Sequence, residues 1–380
     1  MVLVGATTQN QSALTTLQAG ERTLEQWLDE GDRLYKLDRY TDALAAYDQA
    51  LVSDSGHLAA LQGKGDSLYM LGRYADALTL YDQALRRDPE HAVLLSDKAD
   101  TLYQLKHYQE ALVTYDQALG LNPRLTSAYK GKGLAFGWLD REEEALAAFD
   151  QAIRLNPDNA RLYVNKATSL SNLGRYYEAL VTHEEALRRD PHLGTAHRGK
   201  GQALRNLKRL DEALAAYDQA LQCDPKDDYA YLGRGDTLCD MERYHEALSI
   251  FEQALRLNPQ NSNCWFCKAE TLYHLRRYHE ALATYDQCLR LNSGYAAAYR
   301  EKGYTLIQLA RYQEAITAFD QSIRLNPQNS RTHTGKGWVL AELGHFRDAV
   351  VCYDDALHLE PDREHAQQLR QQALERMHQR

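Results

Sequence analysis

Cys264-Trp-Phe-Cys267 is the one Cys-x-x-Cys in the sequence, a spacing that can serve zinc or thiol–disulfide chemistry. A structural zinc needs four ligands that converge tetrahedrally. Cys239, Cys288 and His274 stand within a repeat length of the pair, but helical spacing deals them to different faces. Packing cysteines are the expectation, and no metal is assigned. The stretch Gly194-Thr-Ala-His-Arg-Gly199-Lys200-Gly201 comes close to a phosphate loop. It lacks the Ser or Thr that would hold magnesium and the strand that should precede the first Gly. Gly-Lys-Gly also returns at 63–65, 131–133 and 335–337, so it is a recurring scaffold feature. His-Glu at 183, 245 and 279 has no second His four residues on, which excludes the zinc-protease motif. No nucleophile–base arrangement can be assembled from the rest. The expectation is a protein without enzymatic activity and without a cofactor.

Composition narrows the partner. Fifty-three acidic against 44 basic residues leave a net charge of −9. A general nucleic-acid binder needs a basic face to replace counterions on phosphate, so no nucleic acid is expected. No apolar stretch approaches the roughly 20 residues of a membrane span, so no membrane is expected either. Six cysteines in 380 residues are too few for a disulfide framework, which points to a reducing, cytoplasmic setting.

The elements that must position these side chains are set by a repeat. All eight prolines share one register: Pro89, Pro123, Pro157, Pro191, Pro225, Pro259, Pro327 and Pro361, separated by 34 residues or by 68. A second ladder runs from Ala43 to Ala349, also every 34 residues and without exception. Ten repeats tile the chain: 24–57, 58–91, 92–125, 126–159, 160–193, 194–227, 228–261, 262–295, 296–329 and 330–363. In the second, Leu61, Gly65, Leu68 and Leu71 make the stripe of one amphipathic helix. Gly72-Arg73-Tyr74 is a turn, and Ala77, Leu78, Tyr81, Ala84 and Leu85 stripe a second helix that Asp88-Pro89 ends. Neither helix can bury its stripe alone, so neighbours must stack. Residues 1–23 read as a polar, partly disordered lead-in. Residues 364–380, with Ala366, Leu369, Ala373 and Met377 on one stripe, read as a C-terminal capping helix.

Trp265, Ala269, Leu272, Tyr278, Ala281, Tyr285, Cys288 and Ser293 show the pattern at its offsets in repeat eight. With that pattern the unit resembles the tetratricopeptide repeat, over about nine-tenths of the chain. Cys288 and Ser293 depart from the usual Ala and Pro, and Glu142 and Leu210 from the usual aromatic in repeats four and six. The resemblance implies an all-α, right-handed superhelical solenoid whose first helices line a concave groove, and proteins that bind peptides or partner proteins without catalysis. Near-identical units are also a habit of bacterial repeat arrays, and a bacterial source is expected.

The resemblance further implies that positions two, five, nine, twelve and thirteen face the groove. Repeats one to three place Asp32, Asp66 and Asp100 at position nine and Tyr35, Tyr69 and Tyr103 at position twelve, with Asp97 and Met70 close by. Repeats four to six supply Lys130, Arg161, Asn165, Asn172, Arg198, Arg205 and Asn206. Repeats seven and eight return to Asp236, Asp240, Glu270 and Tyr273. A groove with an acidic, tyrosine-lined mouth, a basic and amide-rich middle and an acidic–aromatic far end is the expectation. Like charges at Lys130, Arg161, Arg198 and Arg205 would repel until an acidic partner segment relieved them. The carboxylate clamp of chaperone-tail binders is only half present: Lys130 and Asn165 fit it, Leu134 and Gly199 do not. The leading reading is a scaffold that binds a peptide or partner-protein segment. The alternatives are self-association as a structural element, and a regulatory subunit or fragment controlling a catalytic domain on another chain.

Overall fold

The computed structural model describes residues 22–378. The lead-in expected over 1–23 lies outside them except for Arg22 and Thr23. Among the described residues all regular structure is helical, in 21 helices without a strand. The chain divides into two compact halves, 1–189 and 190–380. The first holds α1 (Leu24–Lys36), α2 (Tyr40–Ser53), α3 (Leu58–Met70), α4 (Tyr74–Arg87), α5 (Ala92–Gln104), α6 (Tyr108–Leu121), α7 (Thr126–Trp138), α8 (Glu142–Leu155), α9 (Ala160–Asn172) and α10 (Tyr176–Arg189). The second holds α11 (Gly194–Asn206), α12 (Leu210–Cys223), α13 (Asp228–Asp240), α14 (Tyr244–Leu257), α15 (Ser262–His274), α16 (Tyr278–Leu291), α17 (Ala296–Gln308), α18 (Tyr312–Leu325), α19 (Ser330–Glu342), α20 (Phe346–Leu359) and α21 (Glu364–His378).

Local chemistry explains where the helices stop. After α1, the Arg39 N–H donates to the Leu34 carbonyl and the Asp38 N–H to that of Tyr35, both at 3.0 Å. This pair of bonds closes the helix with one left-handed residue. That residue is Asp38 here, Gly72, Gly174 and Gly344 in three other turns, and Lys106, Asp140, Lys208, Glu242, Arg276 and Ala310 in the remainder. At the far end of α4, Asp88 leaves the helical region (φ −133°, ψ 88°), as a residue before proline must. Where Asn or Asp precedes a first helix it caps it: the Asp227 carboxylate accepts from the Ala230 N–H at 3.0 Å.

The core of each half is a stack of rings against small residues. Ala43, Ala77, Ala111, Ala145 and Ala179 in the first half, and Ala213, Ala247, Ala281, Ala315 and Ala349 in the second, are fully buried. The ring one turn further on is buried as well, from Tyr47 and Tyr81 to Phe319 and Tyr353. A Cβ on Gly65 would stand 2.7 Å from the Tyr81 ring, so only glycine lets α3 and α4 approach this closely. Successive hairpins are joined by ion pairs that link position seven to the preceding second helix. Lys64–Asp48 at 2.5 Å, Lys98–Asp82 at 2.7 Å and Lys302–Asp286 at 2.6 Å are examples. In each of these pairs the lysine is tied to the Asp that follows the buried tyrosine of the preceding second helix. Arg370 of α21 repeats the joint with Asp354 at 2.5 Å.

Candidate functional site

In the first half the acidic and aromatic side chains of the odd helices come together, and they are anchored. The hydroxyls of the buried Tyr47 and Tyr81 donate to Asp32 and Asp66, each at 2.6 Å, and that of Tyr115 donates to Asp100. Position nine is thus a scaffold position as well as a face. Tyr35, Tyr69 and Tyr103 pack on Tyr40, Tyr74 and Tyr108 with centroids 5.3, 5.3 and 5.6 Å apart. Gln104 donates to the Tyr69 hydroxyl at 3.1 Å, and the Trp138 indole N–H to that of Tyr103 at 2.7 Å. Burial pushes the Asp97 carboxyl up to about 7, reinforced by the neighbouring charges of Asp66 and Asp100 and opposed by the Gln62 amide, which donates to it at 3.1 Å. Asp100 is also raised by burial; the Tyr115 hydroxyl and the Lys130 ammonium act against that rise.

Arg161 is exposed and Asn165 half-buried. Asn172 donates to Glu142 at 2.6 Å. Asn165, Asn172 and Glu142 line a concavity of about 740 Å³ between α7, α8 and α9. Leu134, Trp138, Phe149 and Leu173 supply its apolar wall.

The second half departs from the expected pattern. Arg198 and Arg205 are not free positive charges. Arg198 Nη1 donates to both oxygens of the Asp227 carboxylate, at 2.9 and 3.0 Å, and the guanidinium lies over the Tyr229 ring. Arg205 donates to Asp240 at 2.7 Å and to Asp236 at 2.9 Å. The basic middle and the acidic far end therefore interdigitate here, and no repulsion between these two arginines waits to be relieved. The reason is register. A side chain at position twelve reaches positions nine and thirteen of the following repeat, 31 and 35 residues later. The Tyr69–Gln104 and Tyr103–Trp138 contacts show the same reach. Reading charge repeat by repeat missed the Arg205 pairs, which those two spacings would have found; Arg198 and Asp227, 29 residues apart, follow neither. Asn206 donates to the Gln202 carbonyl at 3.0 Å and lines a smaller concavity of about 380 Å³ with both arginines, Tyr217 and Tyr229.

Further along, burial together with Glu301 and Asp236 pushes the Glu270 carboxyl up to about 7, against the pull of Arg300. Tyr273 packs edge-on against Tyr278 at 5.4 Å. The cysteines are free. Burial pushes the Cys264 thiol up to about 12 and the Cys288 thiol up to about 11. Protonated, packed thiols of this kind are poor nucleophiles and poor metal ligands. Among the described residues no group of three or more His, Cys, Asp or Glu is placed to hold a metal.

A profile of the tetratricopeptide repeat family matches residues 28–92, 140–183, 164–228 and 268–330, together more than half of the chain. A second tetratricopeptide repeat profile matches 68–132 and 306–373. The profile of subunit 3 of the anaphase-promoting complex, or cyclosome, matches 217–288. Among solved structures, the APC/C hetero-tetramer Cut9–Hcn1 is similar with a TM-score of 0.57 at 15% identity, over 93% of this chain and 84% of that one. Yeast Tom70 is similar with a TM-score of 0.50 at 14% identity, over 98% and 96%. A tetratricopeptide repeat protein from Parabacteroides merdae is similar with a TM-score of 0.51 at 17% identity, over 66% and 98%. These likenesses show an all-α helical-repeat fold. No curated protein sequence matches.

Proposed function

The chain belongs to the tetratricopeptide repeat family, and on that premise we propose that it is a non-enzymatic scaffold whose odd-helix faces receive a segment of a partner protein. The fold is one that generally mediates protein–protein interaction. The observation that carries the reading is Asp97. It is a half-buried carboxyl facing Asp66 and Asp100, held by a single amide and pushed up to about 7. Folding gains nothing from such a group, and local rules broken in this way mark functional surfaces. Tyr35, Tyr69 and Tyr103 beside it offer amphipathic contact area at low entropic cost.

The acidic character expected of the partner now rests on Lys130 and Arg161 of the first half, since Arg198 and Arg205 are neutralised internally. The proposal keeps ten repeats over 24–363 closed by a cap over 364–380. It also keeps a reducing cytoplasmic setting, supported by six free thiols.

The test is a titration of the partner that co-purifies with the full chain. Tyr69→Ala with Tyr103→Ala should weaken binding at least tenfold, about 1.4 kcal/mol or more, with helicity retained. Lys130→Glu with Arg161→Glu should weaken it comparably and reduce its salt dependence. Unchanged affinity in both pairs would remove the odd-helix face as the site.

A further inference from the structure

The large concavity of the first half opens where a row of three ring pairs ends. The hairpins α1–α2, α3–α4 and α5–α6 carry tyrosines at positions twelve and seventeen, packed in pairs. In α7–α8 those positions are Gly137 and Glu142. With both rings missing, about 740 Å³ stands open. The Trp138 indole flanks it, held rigidly by stacking on Tyr108 at 5.7 Å and by its bond to the Tyr103 hydroxyl. Trp138 is nevertheless 64% exposed, so part of its surface is free to meet a guest.

Glu142 lies at the other side of the gap. One carboxylate oxygen accepts from Asn172. The other, Oε2, is buried and has no hydrogen-bond partner among the described residues. A buried acceptor left without a donor is costly, and for a carboxylate the cost is greater. The lining contains two carboxylates, Asp140 and Glu142, and no Lys, Arg or His. Lys130 and Arg161, the cations of this half's groove face, do not line it. Repeat six shows one way of filling the corresponding place. There position twelve is Arg205, bonded to Asp236 and Asp240.

We propose that the gap between α7, α8 and α9 receives an arginine side chain of the partner segment, a reading that rests on the groove proposed above. The guanidinium is planar and carries donors in a fixed fork. It stacks on Trp138 while donating to the Glu142 carboxylate, whose Oε2 turns from its buried position toward the gap, and its methylenes lie along Leu134 and Leu173. A lysine offers a point charge without the stacking plane and binds less tightly.

The probe is the capped peptide acetyl-Ala-Ala-Arg-Ala-Ala-amide, titrated into the full chain and followed by NMR of the four tryptophan indole N–H groups. The Trp138 signal is identified with Trp138→Phe. A single anchored side chain binds in the millimolar range, so the Trp138 signal should shift and saturate there. The citrulline analogue, equal in shape but uncharged, should bind at least tenfold more weakly. Glu142→Gln should cost the same factor. Gly137→Tyr should abolish binding by refilling the gap; a Cβ there meets only the Glu142 carboxylate, at 3.7 Å or more, and an unchanged circular dichroism spectrum checks that the helices persist. A Trp138 signal unmoved at about 10 mM peptide, equal binding of citrulline, or undiminished binding to Gly137→Tyr would each overturn the proposal. The partner titration separates the two readings. If Gly137→Tyr leaves partner affinity unchanged while Tyr69→Ala with Tyr103→Ala lowers it, the arginine anchor falls and the groove stands.

Discussion

Asp97 and Arg205 show how a charged side chain carries opposite consequences on the same kind of face. The folded-state pKa of Asp97, about 7, lies above the unfolded value near 4. Its charged form therefore costs native stability above about pH 7. That cost fades as the pH falls through 7, because the native state takes up the proton first. Asp97→Asn keeps an acceptor for Gln62 and should stabilise the protein at pH 8 by about 1–3 kcal/mol after allowance for solvent screening. The gain should shrink toward zero near pH 4. Chemical denaturation at the two pH values reads it; an equal gain at both would mean that the carboxyl is not titrating as described. Arg205 is the reverse case, a cation that satisfies two acids. Arg205→Ala leaves Asp236 and Asp240 without it and should cost about 1–3 kcal/mol, a loss measurable as a lower Tm. If Tm does not move, the pairs at 2.7 and 2.9 Å contribute nothing to folding.

At the scale of the helical hairpin, the turn is the part whose sequence and geometry disagree. The linking residue is left-handed in all ten turns, yet only three of them use glycine. Ala310 adopts φ 56° with a Cβ in place, a conformation that costs an L-residue roughly 1 kcal/mol. Ala310→Gly should recover part of this and stabilise by about 0.5–1 kcal/mol despite the extra freedom it gives the unfolded chain. A calorimetric Tm that falls instead would show that the unfolded-state entropy of glycine outweighs the relief. The Arg–acid pairs that open the second helices, such as Arg243–Glu246 and Arg277–Glu280 at 2.7 Å, are exposed, and each contributes a few tenths of a kcal/mol. They are regular because the offset is regular, and their number says little about stability.

Over the whole molecule, each half is an array in which a hairpin buries its stripe only against its neighbours. The end of such an array exposes apolar surface unless something covers it. α21 does so for the second half: Ala373 and Leu369 pack with Tyr353 and Ala349, and Ala366 is fully buried. A chain ending at Arg363 uncovers this cluster and loses the Arg370–Asp354 joint. It should melt several degrees lower and show concentration-dependent mass in sedimentation. A truncated chain that melts like the full one and stays monomeric would show that α20 needs no cover.

Helices, hairpins and repeat length were legible in the sequence because they depend on residues three, four and 34 positions apart, recurring ten times. Proline register, the alanine ladder and the glycine or alanine beside each buried ring all report local sterics, and local sterics are written in local sequence. The candidate site was legible only in part. That Asp32, Asp66 and Asp100 share a face follows from their common position. That each also accepts from a buried tyrosine was not visible, because the ring and the carboxylate meet across two helices. The pairing of Arg205 with Asp236 and Asp240 was decided by how far a long side chain leans toward the next repeat, and that of Arg198 with Asp227 by its reach to the residue that caps the next first helix. The α7–α9 gap was decided the same way. Glu142 and Gly137 are unremarkable singly, and they become a concavity only when the stack places two missing rings side by side.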